Sequence, residues 1–109
     1  MLRRLANFFS RPKLGEGIVV EIYSKPGCHL CEIAKARLEA LQQHWPFELR
    51  EINIAHDPRM MEEFGERIPL VWVEGKLACK YRVEEETLRR KLEQAAAVKR
   101  ATLASPATR

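Results

Sequence analysis

The stretch Tyr23-Ser24-Lys25-Pro26-Gly27-Cys28-His29-Leu30-Cys31 decides how this chain is read. An apolar run, Ile18 to Tyr23, leads into it, and a helical pattern leaves it. At such a strand-to-helix turn Cys28 falls at the helix N-terminus. Free backbone N–H groups and the helix dipole stabilise a thiolate there. Cys31 falls one turn later on the same face, within reach for a disulfide.

Outward from this turn the chain alternates strand and helix patterns. Ile18-Val19-Val20-Glu21-Ile22-Tyr23 is β-branched and nearly continuous in apolar character, which predicts a strand buried on both faces. After His29 the residues Leu30, Ile33, Ala34, Leu38 and Leu41 predict one apolar helical face, ending near His44 because Pro46 follows. Phe47 to Ile54 alternates as a second strand, so the three elements form a βαβ unit with parallel strands. Asp57-Pro58 is a helix start, with Asp as N-cap and Pro at the first position, and Gly65 ends that short helix. Strands over Leu70 to Val73 and Leu77 to Tyr81, joined by Glu74-Gly75-Lys76, make an antiparallel hairpin. Val83, Thr87, Leu88 and Leu92 give one face of a last helix, with Glu84, Glu85 and Glu86 in its first turn. The order β-α-β-α-β-β-α predicts an α/β fold with a four-stranded mixed sheet flanked by helices.

The sequence has 109 residues, which suits one domain with a core of its own. Three units are expected: a basic amphipathic extension over 1–17, the domain over 18–94, and a disordered tail over 95–109. Leu2, Leu5, Phe8 and Phe9 recur at helical spacing in the extension. Packing on the domain or fraying is the reading preferred for them over contact with a membrane surface through residues 1–10. Pro12 to Gly17 reads as a linker. The formal net charge is +4, but the extension holds four bases against one acid, and the tail three bases and no acid. The domain holds 12 bases and 14 acids, so the basic excess sits at the ends. No interleaved aromatic and basic pattern points to nucleic acid. The N-terminus lacks the apolar segment of about 7–15 residues that a signal peptide needs. Cysteine is sparse, with Cys28, Cys31 and Cys79 alone. That suits a reducing compartment, and a cytoplasmic location is expected.

With these elements in place the chain resembles the glutaredoxins, and more narrowly the small bacterial glutaredoxin-like proteins with a Cys-His-Leu-Cys centre. The resemblance rests on the element order, on Tyr23 to Cys31 and on Ile68-Pro69-Leu70-Val71, and covers roughly residues 18–93. It implies a thioredoxin-like fold, thiol–disulfide exchange, and a cis Ile68-Pro69 bond facing the cysteines. It also implies that Tyr23, Ile68 and Pro69 meet the substrate and that Lys25 matches the family's lysine ahead of the pair. Two departures stand out. Typical glutaredoxins carry Gly-Gly and then Asp after the hairpin turn, a region that helps hold glutathione. Here the stretch is Leu77-Ala78-Cys79-Lys80-Tyr81-Arg82-Val83, which counts against glutathione as the reductant. The usual proline between the cysteines is replaced by His29-Leu30.

The chemistry expected is dithiol exchange. Cys28 is the nucleophile, its pKa lowered by the helix N-terminus, Lys25 and His29, and Cys31 resolves the mixed disulfide. A protonated His29 would favour the reduced state and make the disulfide more oxidising. The substrate is a disulfide-containing protein or small molecule, and the electron donor a thioredoxin reductase-like enzyme or glutathione. No metal or other cofactor is required. Three other readings use the same residues. The cysteines could be small core side chains. They could hold zinc with Cys79, His29 or His56, or an iron–sulfur cluster shared across a dimer, although one Cys-x-x-Cys supplies two of the four ligands zinc wants. The fold could also serve as a non-catalytic adaptor that binds an extended peptide near Pro69.

Overall fold

The computed structural model describes residues 12–104, so the helix expected over the first residues lies outside what is described. The strands are β1 (Val19–Ser24), β2 (Glu48–Asn53), β3 (Leu70–Val73) and β4 (Lys76–Lys80). The helices are α1 (His29–Leu41), α2 (Pro58–Phe64) and α3 (Glu85–Ala104), with a 3-10 turn at Ile54–His56. The sheet order is β2-β1-β3-β4; β1 and β2 run parallel, and the other neighbours antiparallel. This is the four-stranded mixed α/β architecture that the alternation of patterns predicts.

β1 is the central wall of the core, but it is not buried on both faces as its composition suggests. Val20, Ile22 and Ser24 are buried, whereas Val19, Glu21 and Tyr23 are half-buried. Alternate side chains point to opposite faces of a strand. On the buried side Val20 and Ile22 pack with Ala34, Leu38 and Leu41 of α1 and with Leu88 and Leu92 of α3. Phe47, Val71, Val73 and Cys79 complete that cluster. On the other side Tyr23, Phe64 and Trp72 pack ring against ring, with centroids 5.2 to 6.2 Å apart.

The buried stripe of α1 is Cys31, Ala34, Leu38 and Leu41. Leu30 and Ile33, expected on that stripe, are 50% and 51% exposed. At about 100° per residue Ile33 lies a quarter turn away from Ala34, and Leu30 stands in the helix's first turn. Asp57 caps α2 as expected, its carboxylate accepting from the N–H groups of Arg59 and Met60 at 2.9 and 3.4 Å. Gly65 follows α2 as expected, but not as a left-handed cap. Its φ is −54°, an ordinary helical value, and a Cβ there would collide with the Met61 carbonyl.

The largest departure is at the C-terminus. Residues 95–104, expected to be disordered, continue α3 to Ala104, while 105–109 lie outside the described residues. Three consecutive alanines, the best helix formers, carry the helix onward. Ala95 and Ala96 pack on the main core, and the Lys99 ammonium reaches the Glu74 carboxylate at 3.6 Å. The sparse apolar pattern hides this, because alanine adds little to an apolar count and yet fits closely against a core. Ala96→Pro should therefore lower stability by about 3 kcal/mol, the effect of proline inside a helix. Urea denaturation measures it; an unchanged midpoint would mean this segment is not part of the folded unit. Among the described residues no helix is long and apolar enough to cross a membrane.

Candidate active site

The parallel β1–β2 pair ends at Ser24 and Asn53, and the chain turns there into α1. Gly27 makes the turn at φ +78°, a left-handed value glycine adopts without strain. The Cys28 N–H closes the turn on the Lys25 carbonyl at 3.3 Å. Cys28 is then the N-cap of α1, and its Sγ accepts from the Cys31 N–H at 3.2 Å. This is the position where serine or aspartate oxygens serve in other helices. A sulfur placed there meets an unpaired amide donor and the positive end of the helix dipole, which lowers a thiol pKa. Cys31 is buried against Ile54 and Ile68, and Cys28 packs at the edge of the same cluster, half-buried. The two sulfurs are bonded to each other, with Cα atoms 5.2 Å apart.

Around the pair the predicted residues divide. The Ile68-Pro69 bond is cis, and Ile68 packs beside Cys31. Tyr23 lies behind the cysteines in the aromatic cluster; burial, and then Glu21 and Glu63, push its phenol pKa up. Lys25 lines the cleft with both cysteines, while its ammonium hydrogen-bonds the Gly65 carbonyl at 3.4 Å. His29 points into solvent, 82% exposed, and its Nδ1 lies 3.8 Å from a Glu32 carboxylate oxygen. Cys79, a candidate third metal ligand, is buried in the main core, a different cluster from Cys28 and Cys31. Its thiol pKa is raised by burial, so it stays protonated near neutral pH. Among the described residues no three His, Cys, Asp or Glu side chains gather as a metal-binding group.

Three residues of the site escape a reading by sequence. The Ser24 hydroxyl is buried and donates to Glu51 Oε2 at 2.8 Å. Lys35 Nζ meets Glu51 Oε1 at 2.9 Å. These side chains come from β1, α1 and β2, and only the β1–β2 register brings them together. No local spacing announces such a contact. Hydrogen bonds from Lys35 and then Ser24 hold the Glu51 carboxyl below its usual range, against the opposing effect of burial. A carboxyl whose folded pKa is depressed adds stability above its unfolded value, about 4.3, and loses it as the pH falls through the folded one. Glu51→Gln should therefore be less stable than the native chain at neutral pH, with the gap closing in acid below that range. Urea midpoints across pH test this; a gap independent of pH would contradict it.

Profile comparison matches residues 19–93 to the glutaredoxin-like domain family (DUF836). The chain belongs to that glutaredoxin-like family. Among relatives, a glutaredoxin-like protein of Dictyostelium discoideum is 27% identical over 94 residues, spanning 81% of this chain and 82% of that protein. An uncharacterised Mycobacterium tuberculosis protein is 28% identical over 92 residues, 80% of this chain and 89% of the relative. The solution structure of a Nitrosomonas europaea protein superposes with a TM-score of 0.61 at 28% identity, covering 72% of this chain and 92% of that one. Thioredoxin 1 of Thermosipho africanus superposes at 0.53 with 9% identity, covering 75% and 98% of the two chains, a likeness of fold alone. In this glutaredoxin-like chain the stretch after β4 keeps a backbone link to the cis proline: the Tyr81 N–H donates to the Pro69 carbonyl at 2.8 Å. Tyr81 does so at φ +69°, a left-handed value that a bulky side chain rarely adopts.

Proposed function

We propose that this protein is a thiol–disulfide oxidoreductase that reduces disulfides by dithiol exchange through Cys28 and Cys31. The observation that carries the reading is the Cys28 sulfur at the N-cap of α1, accepting from the Cys31 amide, with the Cys31 sulfur within bonding distance. In the reduced protein the Cys28 thiolate attacks one sulfur of a substrate disulfide. The substrate S–S bond breaks, its other sulfur leaves as a thiolate that takes a proton, and a mixed disulfide forms on Cys28. Cys31 loses its proton and attacks Cys28 Sγ, releasing the second substrate thiol and leaving the Cys28–Cys31 disulfide. Each cycle moves two electrons to the substrate, and an external dithiol or reductase returns them. Lys25, which lines the cleft with both cysteines, acts on Cys28 through its positive charge; His29 would do so only when protonated. An extended substrate segment would meet the half-buried Tyr23 and the backbone at Ile68, beside the cis Pro69 whose side chain is itself buried. The setting is a reducing compartment, the cytoplasm.

Dithiothreitol-driven insulin reduction, run beside a glutathione-coupled assay, tests this. Turnover in the first is the expected result. Turnover in the second as well would make glutathione the donor, despite the absence of Gly-Gly-Asp after the hairpin. Failure in both would overturn the enzymatic reading in favour of the adaptor.

A further inference from the structure

The sheet has a second face, and one end of it is open. Val19, Glu21 and Tyr23 point away from the main core. Strand register sets Glu48 and Arg50 of β2, Trp72 of β3 and Leu77 of β4 on the same face around Val19 and Glu21. Phe64 of α2 covers the Tyr23 end through the ring stack. That helix is only seven residues long. Among the described residues, Val19 and Leu77 at the other end belong to neither core cluster. Leu77 is 38% exposed, and Val19 and Trp72 are half-buried. Of the charges there, Arg50 pairs with Glu48 at 2.7 Å, so the half-buried Glu21 is the charge in excess.

Residues 1–11 precede the described chain and enter it at this end of β1, where the Ile18 N–H closes a turn on the Gly15 carbonyl at 3.0 Å. The other face is already closed there by α1 and α3, with Leu14 at its edge. The sequence of the segment is amphipathic. Leu2, Leu5, Phe8 and Phe9 fall on one helical face, and Arg3, Arg4 and Arg11 are accompanied by no acid. A helix of nine residues is about 14 Å long, the width of three inter-strand spacings, and is marginal until its apolar face is buried. We propose that residues 1–11 dock as a helix across the open end of the sheet. Phe8 and its apolar neighbours lie over Val19, Trp72 and Leu77, and the arginines lie towards Glu21. The basic extension then closes the sheet over Trp72, whose ring backs Tyr23 behind the cysteines.

The test compares amide NMR spectra and urea midpoints of the full-length native protein with those of Phe8→Asp and of Asn7→Ser, a change on the polar side of the same segment. Phe8→Asp should move the amide signals of Val19, Glu21 and Leu77 and the indole N–H signal of Trp72. It should also lower the urea midpoint by about 1 M, the effect of exposing one buried aromatic ring. Asn7→Ser should change neither. Unmoved Trp72 and Leu77 signals in Phe8→Asp would overturn the proposal. So would a native chain that sediments as a dimer and becomes a monomer in Phe8→Asp, because a second copy would then be the occupant. Co-sedimentation of the native chain, but not of Phe8→Asp, with phosphatidylglycerol vesicles at physiological salt would also overturn it, giving the apolar residues to a lipid surface.

Discussion

Cys31→Ser is expected to turn the protein into a trap. With the resolving sulfur gone, Cys28 still attacks a disulfide, but the mixed disulfide has no intramolecular exit. Incubation with an oxidised protein substrate should give an adduct that survives denaturing, non-reducing electrophoresis and disappears on adding dithiothreitol. Cys28→Ser should form no adduct and lose disulfide reduction by several orders of magnitude, as removal of a nucleophile does. The asymmetry follows from position: Cys28 is half-buried, whereas Cys31 is 3% exposed against Ile54 and Ile68. Cys79, buried in another cluster, offers no substitute sulfur. Equal trapping by the two serine variants would reverse or dissolve the assigned roles.

Leu38→Ala should give the largest loss of stability. Leu38 is fully buried where α1 meets the sheet and α3, and deleting its three outer carbons leaves a cavity that the core refills only in part. Such changes cost about 2–5 kcal/mol, a large share of the roughly 5–15 kcal/mol that holds a small domain together. Ile33→Ala, on the exposed side of the same helix, should fall within about 0.5 kcal/mol of the native chain. Chemical denaturation of the pair decides the matter. Comparable losses would mean that the helix face is rotated from the one described.

These two experiments also mark where sequence reading succeeds and where it stops. The Cys-x-x-Cys turn, the Asp57-Pro58 helix start and the hairpin at Glu74-Gly75 are local features, set by the residues that form them. They are legible one stretch at a time. The rotation of α1 is less so. Leu30 and Ile33 extend the apolar pattern beyond what the sheet covers, and periodicity cannot show which edge of a wide apolar stripe faces water. The continuation of α3 is hidden in alanines, whose helix-forming strength does not register as periodicity. The Ser24–Glu51–Lys35 contact joins three separate elements and depends on the register of β1 with β2. The cis bond before Pro69 was expected only through the family resemblance, since nothing in its neighbours requires it.

The most direct test of the account is the ionisation of Cys28. In the reduced Cys31→Ser protein Cys28 is the one thiol outside the main core, so the pH dependence of its alkylation by iodoacetamide reports its titration. The backbone amide at position 31 and the start of α1 should hold that titration well below the free-cysteine value of about 8.5. A midpoint at or above that value would mean that the helix end does not activate the sulfur, contradicting the mechanism proposed.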